Sequence, residues 1–160
     1  MTAIVTLTPT EIEICALIAA KRNSMNRGNG IDAKHGAVKG EGLENDWIGC
    51  LGECAVAKHF NLFWMGTLGD YRAVDCGGRI QARAARRAHY SLILHREDAD
   101  ADPFVLALAV PERLPRVELA GFLLGRDGKK PEYWKDPVGE RPAFFVPRHV
   151  LQPMEHLAIG

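Results

Sequence analysis

Phe104-Val105-Leu106-Ala107-Leu108-Ala109-Val110 is an unbroken apolar run, bounded by Asp102-Pro103 before it and Pro111 after it. A short run of this kind reads as a strand covered on both faces, and it predicts the central strand of a sheet. Reading back from it, Glu97 to Asp102 is an acidic surface turn, and Tyr90 to Leu94 is a further strand. Arg79 to Ala84, Tyr71 to Val74 and Leu62 to Met65 are shorter strand-like pieces. Cys76-Gly77-Gly78 separates Tyr71–Val74 from Arg79–Ala84 and favours a hairpin, because glycine takes the positive φ angles such a turn requires.

Reading forward, Val117 to Leu124 is another strand that ends at Gly125. The polar segment Arg126 to Arg141 follows, carrying Tyr133 and Trp134. Pro142 to Val146 is expected as a short edge strand. Val150, Leu151, Met154 and Leu157 predict a short helix packing the tail back.

The first third is helical in pattern. Thr8 or Thr10 can cap a helix starting at Glu11, with Ile12, Cys15, Leu17, Ile18 and Ala19 apolar and the helix fading near Asn23. A second helix is expected from Glu44 to His59, with Trp47, Ile48, Leu51 and Ala55 on one face. Glu53 lies roughly opposite them, among Gly49, Val56, Ala57 and Phe60, so it is a charge on a helix that is apolar over much of its circumference. Residues 23–43, between the helices, are glycine-rich and polar, and are expected to form a flexible loop or lid. Two early helices followed by many strands predict an α/β (α+β) fold, a mixed sheet flanked by helices. With 160 residues and 47% hydrophobic content, one substantial core is expected, so residues 1–160 read as a single domain.

Twenty basic and twenty acidic side chains cancel, which argues against a protein held to DNA by bulk charge but leaves room for a local basic groove. No apolar stretch is long enough for a membrane helix and Met1 to Thr10 lacks the pattern of a secretory signal, so a cytoplasmic protein without membrane partners is expected. Cys15, Cys50, Cys54 and Cys76 form no CxxC unit and read as reduced, buried thiols. Cys50, Cys54 and His59 lack a defined fourth zinc ligand. No dinucleotide fingerprint or Walker loop is present, so no nucleotide cofactor is expected. Ser24 and Ser91 lie in no nucleophile elbow.

The chemistry-bearing residues fall between Gly49 and Arg87. They are Glu53 on a helix, Asp70 before a strand, Asp75 at the glycine hairpin, and Gln81 and Arg83 two residues apart on one face of the next strand. A helix carboxylate and a strand-edge carboxylate that converge offer the oxygen ligands Mg²⁺ needs. A bound metal polarises a phosphate and lowers the pKa of an attacking water, and a nearby arginine offsets phosphoryl charge. The plainer readings are a solvent-facing Glu53, turn-forming aspartates at 70 and 75, and a polar strand face at 81 and 83.

The segment Gly52-Glu53-Cys54-Ala55-Val56-Ala57-Lys58 resembles the first-helix motif of the restriction-endonuclease-like, or PD-(D/E)XK, nuclease superfamily. Gly69-Asp70-Tyr71-Arg72-Ala73-Val74 resembles its metal-aspartate strand, and Ile80-Gln81-Ala82-Arg83 occupies the place of its (D/E)-x-K strand. The layout is similar to that of small phage and prophage proteins. The resemblance covers roughly residues 44–110. It implies a restriction-endonuclease-like central mixed sheet and a metal-dependent nuclease acting on DNA with Mg²⁺ or Mn²⁺. Glu53, Asp70, Gln81 and Arg83 would be its catalytic residues. Glu53, Asp70, Asp75 and Gln81 would be its metal ligands, with Asp75 a rival to Asp70. The chain departs from the pattern at two positions. Gln81 brings no negative charge, and Arg83 stays protonated and cannot serve as a base. A catalytically inactive nucleic-acid-binding relative therefore stands beside the active enzyme, and a phage-type protein-interaction module or homodimer is a third reading.

Arg72, Arg79, Arg83, Arg86 and Arg87 fall within sixteen residues with only Asp75 acidic among them. Arg72, Arg79, Arg86 and Arg87 are candidate phosphate contacts, joined by Lys34 and Lys39 from the glycine-rich loop. The competing reading pairs these arginines with the acidic turn 97–102. Tyr133 and Trp134 could stack on bases or anchor their loop at the margin of the core.

Overall fold

The computed structural model describes residues 2–28, 42–68 and 75–159. Strand β1 is Ala3–Thr6, helix α1 Pro9–Gly28 and helix α2 Gly42–His59. Then follow β2 (Gln81–Ala85), β3 (Leu92–Leu94), β4 (Pro103–Leu108), β5 (Arg116–Leu124), the single turn α3 (Gly125–Gly128), β6 (Trp134–Lys135) and β7 (Ala143–Val146).

The fold is α+β, a mixed sheet flanked by helices on one face and backed by a smaller sheet on the other. The four-stranded sheet has the order β1-β5-β4-β2, and the three-stranded sheet β3-β7-β6. In the larger sheet β4 lies inside, antiparallel to β5 and parallel to β2. The expectation from its apolar run is met: Phe104 to Ala109 are all buried. Its side chains alternate between two cores. Val105, Ala107 and Ala109 face the helices with Leu51, Ala55 and Val117, whereas Phe104, Leu106 and Leu108 face Leu92, Leu94 and Val146 of the second sheet.

Helix α1 begins at Pro9, not at Glu11. Thr8 Oγ1 accepts from the Glu11 amide (3.1 Å) and Glu11 Oε2 accepts from the Thr8 amide (2.7 Å), a reciprocal cap. Lys58 Nζ also donates to Glu11, tying the start of α1 to the end of α2. α1 continues past Asn23 to Gly28 and α2 begins at Gly42, so the ends of the expected 23–43 loop are helical; residues 29–41, with Lys34 and Lys39, lie outside the described residues. α2 approaches the sheet closely because Gly52 has no side chain. A Cβ there would stand 2.7 Å from the Ala84 Cβ and 3.2 Å from the Ala107 Cβ.

Other expectations need correction. Pro142–Val146 is not an edge strand: β7 lies in the middle of its sheet, because two-residue β6 pairs along its far side. The tail forms single 3₁₀ turns at Arg148–Val150 and Met154–His156 in place of a helix, each following a proline. Leu62–Met65 supplies only a bridge from Trp64 to Cys76, and Tyr71–Val74 lies outside the described residues. Of the expected hairpin the glycine turn is described, with Cys76 bridging Ile80 and Gly78 at φ +77°, while its first arm lies outside the described residues.

Candidate functional site

Glu53 projects from α2 into the seam between α1 and the segment after α2, and is 8% exposed. That excludes the solvent-facing reading. Its carboxylate is gripped by Arg22 of α1, with Nη1 on Oε1 at 2.8 Å and Nη2 on Oε2 at 3.0 Å. Trp64 Nε1 donates to Oε2 at 3.0 Å. Arg22 Nε in turn donates to the Thr67 carbonyl at 2.9 Å, which fixes the plane of the guanidinium. A charge so far inside needs such partners. Arg22 is partly buried. Burial opposes its charge, but the Glu53 carboxylate more than compensates and raises its pKa.

Asp75 belongs to the same neighbourhood. It sits at the glycine turn, partly buried, and its Oδ2 accepts from the Ala82 amide at 2.8 Å. Burial, reinforced by the Glu53 charge, pushes its carboxyl up to about 7, against the Ala82 bond and the attraction of Arg83 and Arg22. No hydrogen bond to its Oδ1 is present among the described residues. Cys76 Sγ bonds the Glu53 carbonyl at 3.4 Å. All four cysteines are free and buried, as expected, and burial pushes the Cys50 thiol up to about 12.

The expected set is divided. Ala82 and Ala84 take the face of β2 beneath α2, so Gln81 and Arg83 project from the opposite face. There Arg83 Nη2 bonds Asp98 Oδ1 at 2.7 Å, and its guanidinium lies over the Phe104 ring, 5.1 Å from the centroid. Its Nε is buried without a hydrogen bond. Thus Asp75 lies within reach of the Glu53 charge, and Gln81 and Arg83 project from the other face of β2, with Arg83 still near enough to favour the Asp75 carboxylate. Asp70 and Arg72 lie outside the described residues. Among the described residues no group of three or more histidines, cysteines and carboxylates is placed to hold a metal ion. Two of the functional groups here, Arg22 and Trp64, escaped the reading of the sequence. Arg22 had a signal, since Cys15, Ala19 and Arg22 follow the i, i+4, i+7 stripe and the first two are fully buried.

The arginine cluster is largely paired. Arg79 Nε bonds Asp102 (2.8 Å) and Arg83 bonds Asp98, so for these two the acidic turn 97–102 is the partner. Arg86 pairs with Glu44 at 3.2 Å, and exposed Arg87 lies 5.9 Å over the Tyr90 ring. Trp134 is half-buried against Phe144, with Arg96 over its ring at 4.2 Å. Among the described residues no helix is long and apolar enough to cross a membrane. Comparison of the chain with protein-family models, curated proteins and solved structures gave no match.

Proposed function

We propose that this chain is a divergent relative of the restriction-endonuclease-like nucleases, hydrolysing DNA phosphodiesters with a divalent cation held between Glu53 and Asp75. The observation that carries the reading is this interior carboxylate pair, in which the Glu53 charge adds to the cost of ionising Asp75. A divalent cation relieves that repulsion. The residues suit a hard cation in chemistry: three hydrogen bonds occupy Glu53, leaving acceptor capacity on Oε1, and among the described residues nothing is bonded to Asp75 Oδ1. Asp70, five residues before Asp75, is the further ligand the resemblance implies. When bound, Mg²⁺ or Mn²⁺ would polarise the phosphate and acidify a water. Arg22 would orient Glu53 and offset phosphoryl charge. Arg83 and Gln81 would not enter the chemistry, which removes the difficulty of an arginine in the lysine position.

The second reading, a non-catalytic nucleic-acid-binding relative, is favoured by the Arg22 fork, which already neutralises Glu53 without a metal. Cleavage of single- and double-stranded DNA and RNA, with Mg²⁺, Mn²⁺ or EDTA, separates the two. Metal-dependent cleavage lost in Glu53→Gln and in Asp75→Asn supports the enzyme. DNA binding that is indifferent to metal, without cleavage, supports the binding relative. Failure to bind or cut any nucleic acid at low salt, in a folded protein, sinks both.

A further inference from the structure

On the face of the four-stranded sheet away from the helices, the second sheet leaves one corner uncovered. Ile4, Glu118 and Leu108 form a row there across β1, β5 and β4. Ile4 is 58% exposed, although it lies in a paired strand. Over this row is a recess of about 250 Å³ lined by Ile4, Leu108, Arg113, Arg116 and Glu118. Arg148, from the turn after β7, reaches in to bond Glu118 Oε1, and Arg113 stands 3.7 Å from Oε2.

The charges do not balance. Arg113 and Arg148 both approach Glu118, Arg116 lines the same recess, and the Glu118 side chain is only 15% exposed. Arg148 satisfies it, so Arg113 has only a long contact. Arg116 has no side-chain partner among the described residues. By contrast, Arg79 and Arg83 are each paired with one aspartate, Asp102 and Asp98. Two under-used guanidinium forks beside an apolar floor match an oxyanion joined to a small hydrocarbon group, since guanidinium binds carboxylate and phosphate oxygens in bidentate fashion.

We infer that this recess is a binding site for a small oxyanion bearing a short apolar group, with the oxygens taken by Arg113 and Arg116 and the apolar part lying on exposed Ile4. The site is on the other side of the sheet from Glu53 and does not depend on the phosphodiester reading. The intact chain is titrated with sodium butyrate, inorganic phosphate and, for ionic strength, sodium chloride, and followed by backbone amide shifts. Saturable shifts confined to β1, β5 and residues 111–116 are expected for butyrate or phosphate and not for chloride. The tighter of the two identifies carboxylate or phosphate as the natural group. Arg113→Gln and Arg116→Gln should each weaken binding at least tenfold while leaving the remaining spectrum unchanged. Non-saturating shifts, an equal response to chloride, or undiminished binding by both variants overturns the proposal.

Discussion

Strand β2 separates two arginine–carboxylate pairs whose acids are equally buried, at 11% exposed each, but which are bonded differently. On its helix side Arg22 and Glu53 form a two-bonded fork, with side chains 18% and 11% exposed, and Trp64 adds a third donor. On the other side Arg83 and Asp98 share one short bond, Arg83 is 30% exposed, and its Nε is left without a partner. Asp98 is also held by the His95 amide, so the outer pair is part of a surface turn. The inner pair joins two helices through their shared interior. The number of bonds and the elements they join, more than charge, decide what each pair does for the fold.

The largest test of that contrast removes one acid from the inner pair. Glu53→Ala leaves Arg22 inside with the Thr67 carbonyl as its one remaining hydrogen-bond partner among the described residues, and a loss of about 3–5 kcal/mol in urea denaturation is expected. Arg83→Gln should lose roughly 1.5 kcal/mol, the low end for a hydrogen bond to a charged group. Equal losses would remove the distinction between the two sides.

A second test uses pH. Asp75 rises from an ordinary value of 3.8 to about 7 on folding, through burial first and Glu53 second. The folded chain therefore binds more protons than the unfolded chain between these values. The stability contributed by the protonated carboxyl is fully present below pH 3.8 and disappears as pH rises through 7. Asp75→Asn keeps an acceptor for the Ala82 amide and cannot ionise. It should be more stable than the parent at pH 8, with the difference shrinking steadily towards pH 4. A difference that stays constant across this range would show that Asp75 does not titrate as the geometry implies.

Much of this architecture could be read from residues alone, and the exceptions have definite physical causes. Phe104–Val110 announced its own position because a strand covered on both faces has no polar side to disguise it. β1 went unread because it is four residues long and buries only Val5 among them; its pairing with β5, which no local pattern encodes, makes it a strand. Glu53 was legible as a charge on an apolar helix, but its partner comes from thirty-one positions earlier. The i, i+2 spacing put Gln81 and Arg83 on one face without saying which face α2 would cover. The small residues held that answer: Ala82 and Ala84 on the strand and Gly52 on the helix permit the close approach. That contact turns the polar pair outward.

Gly52 provides the third test. Gly52→Ala adds a methyl into the Cβ atoms of Ala84 and Ala107, which are fixed to backbone and cannot swing aside. Overpacking should cost about 1–3 kcal/mol, outweighing the roughly 0.5–1 kcal/mol that alanine gains over glycine within a helix. A stabilised Gly52→Ala protein would mean that α2 does not seat on β2 as closely as described.

The smallest expected effect comes three residues earlier in the same helix. A Cβ at Gly49 meets nothing within 4 Å, so Gly49→Ala carries the propensity gain without a clash. It should stabilise the protein by about 0.5–1 kcal/mol, seen as a higher urea midpoint with an unchanged slope. The two glycines thus differ in sign for the same substitution, because one faces the sheet and the other faces open space. If both variants moved stability in one direction, helix propensity alone would account for them, and the close seating that turns Arg83 away from Glu53 would lose its support.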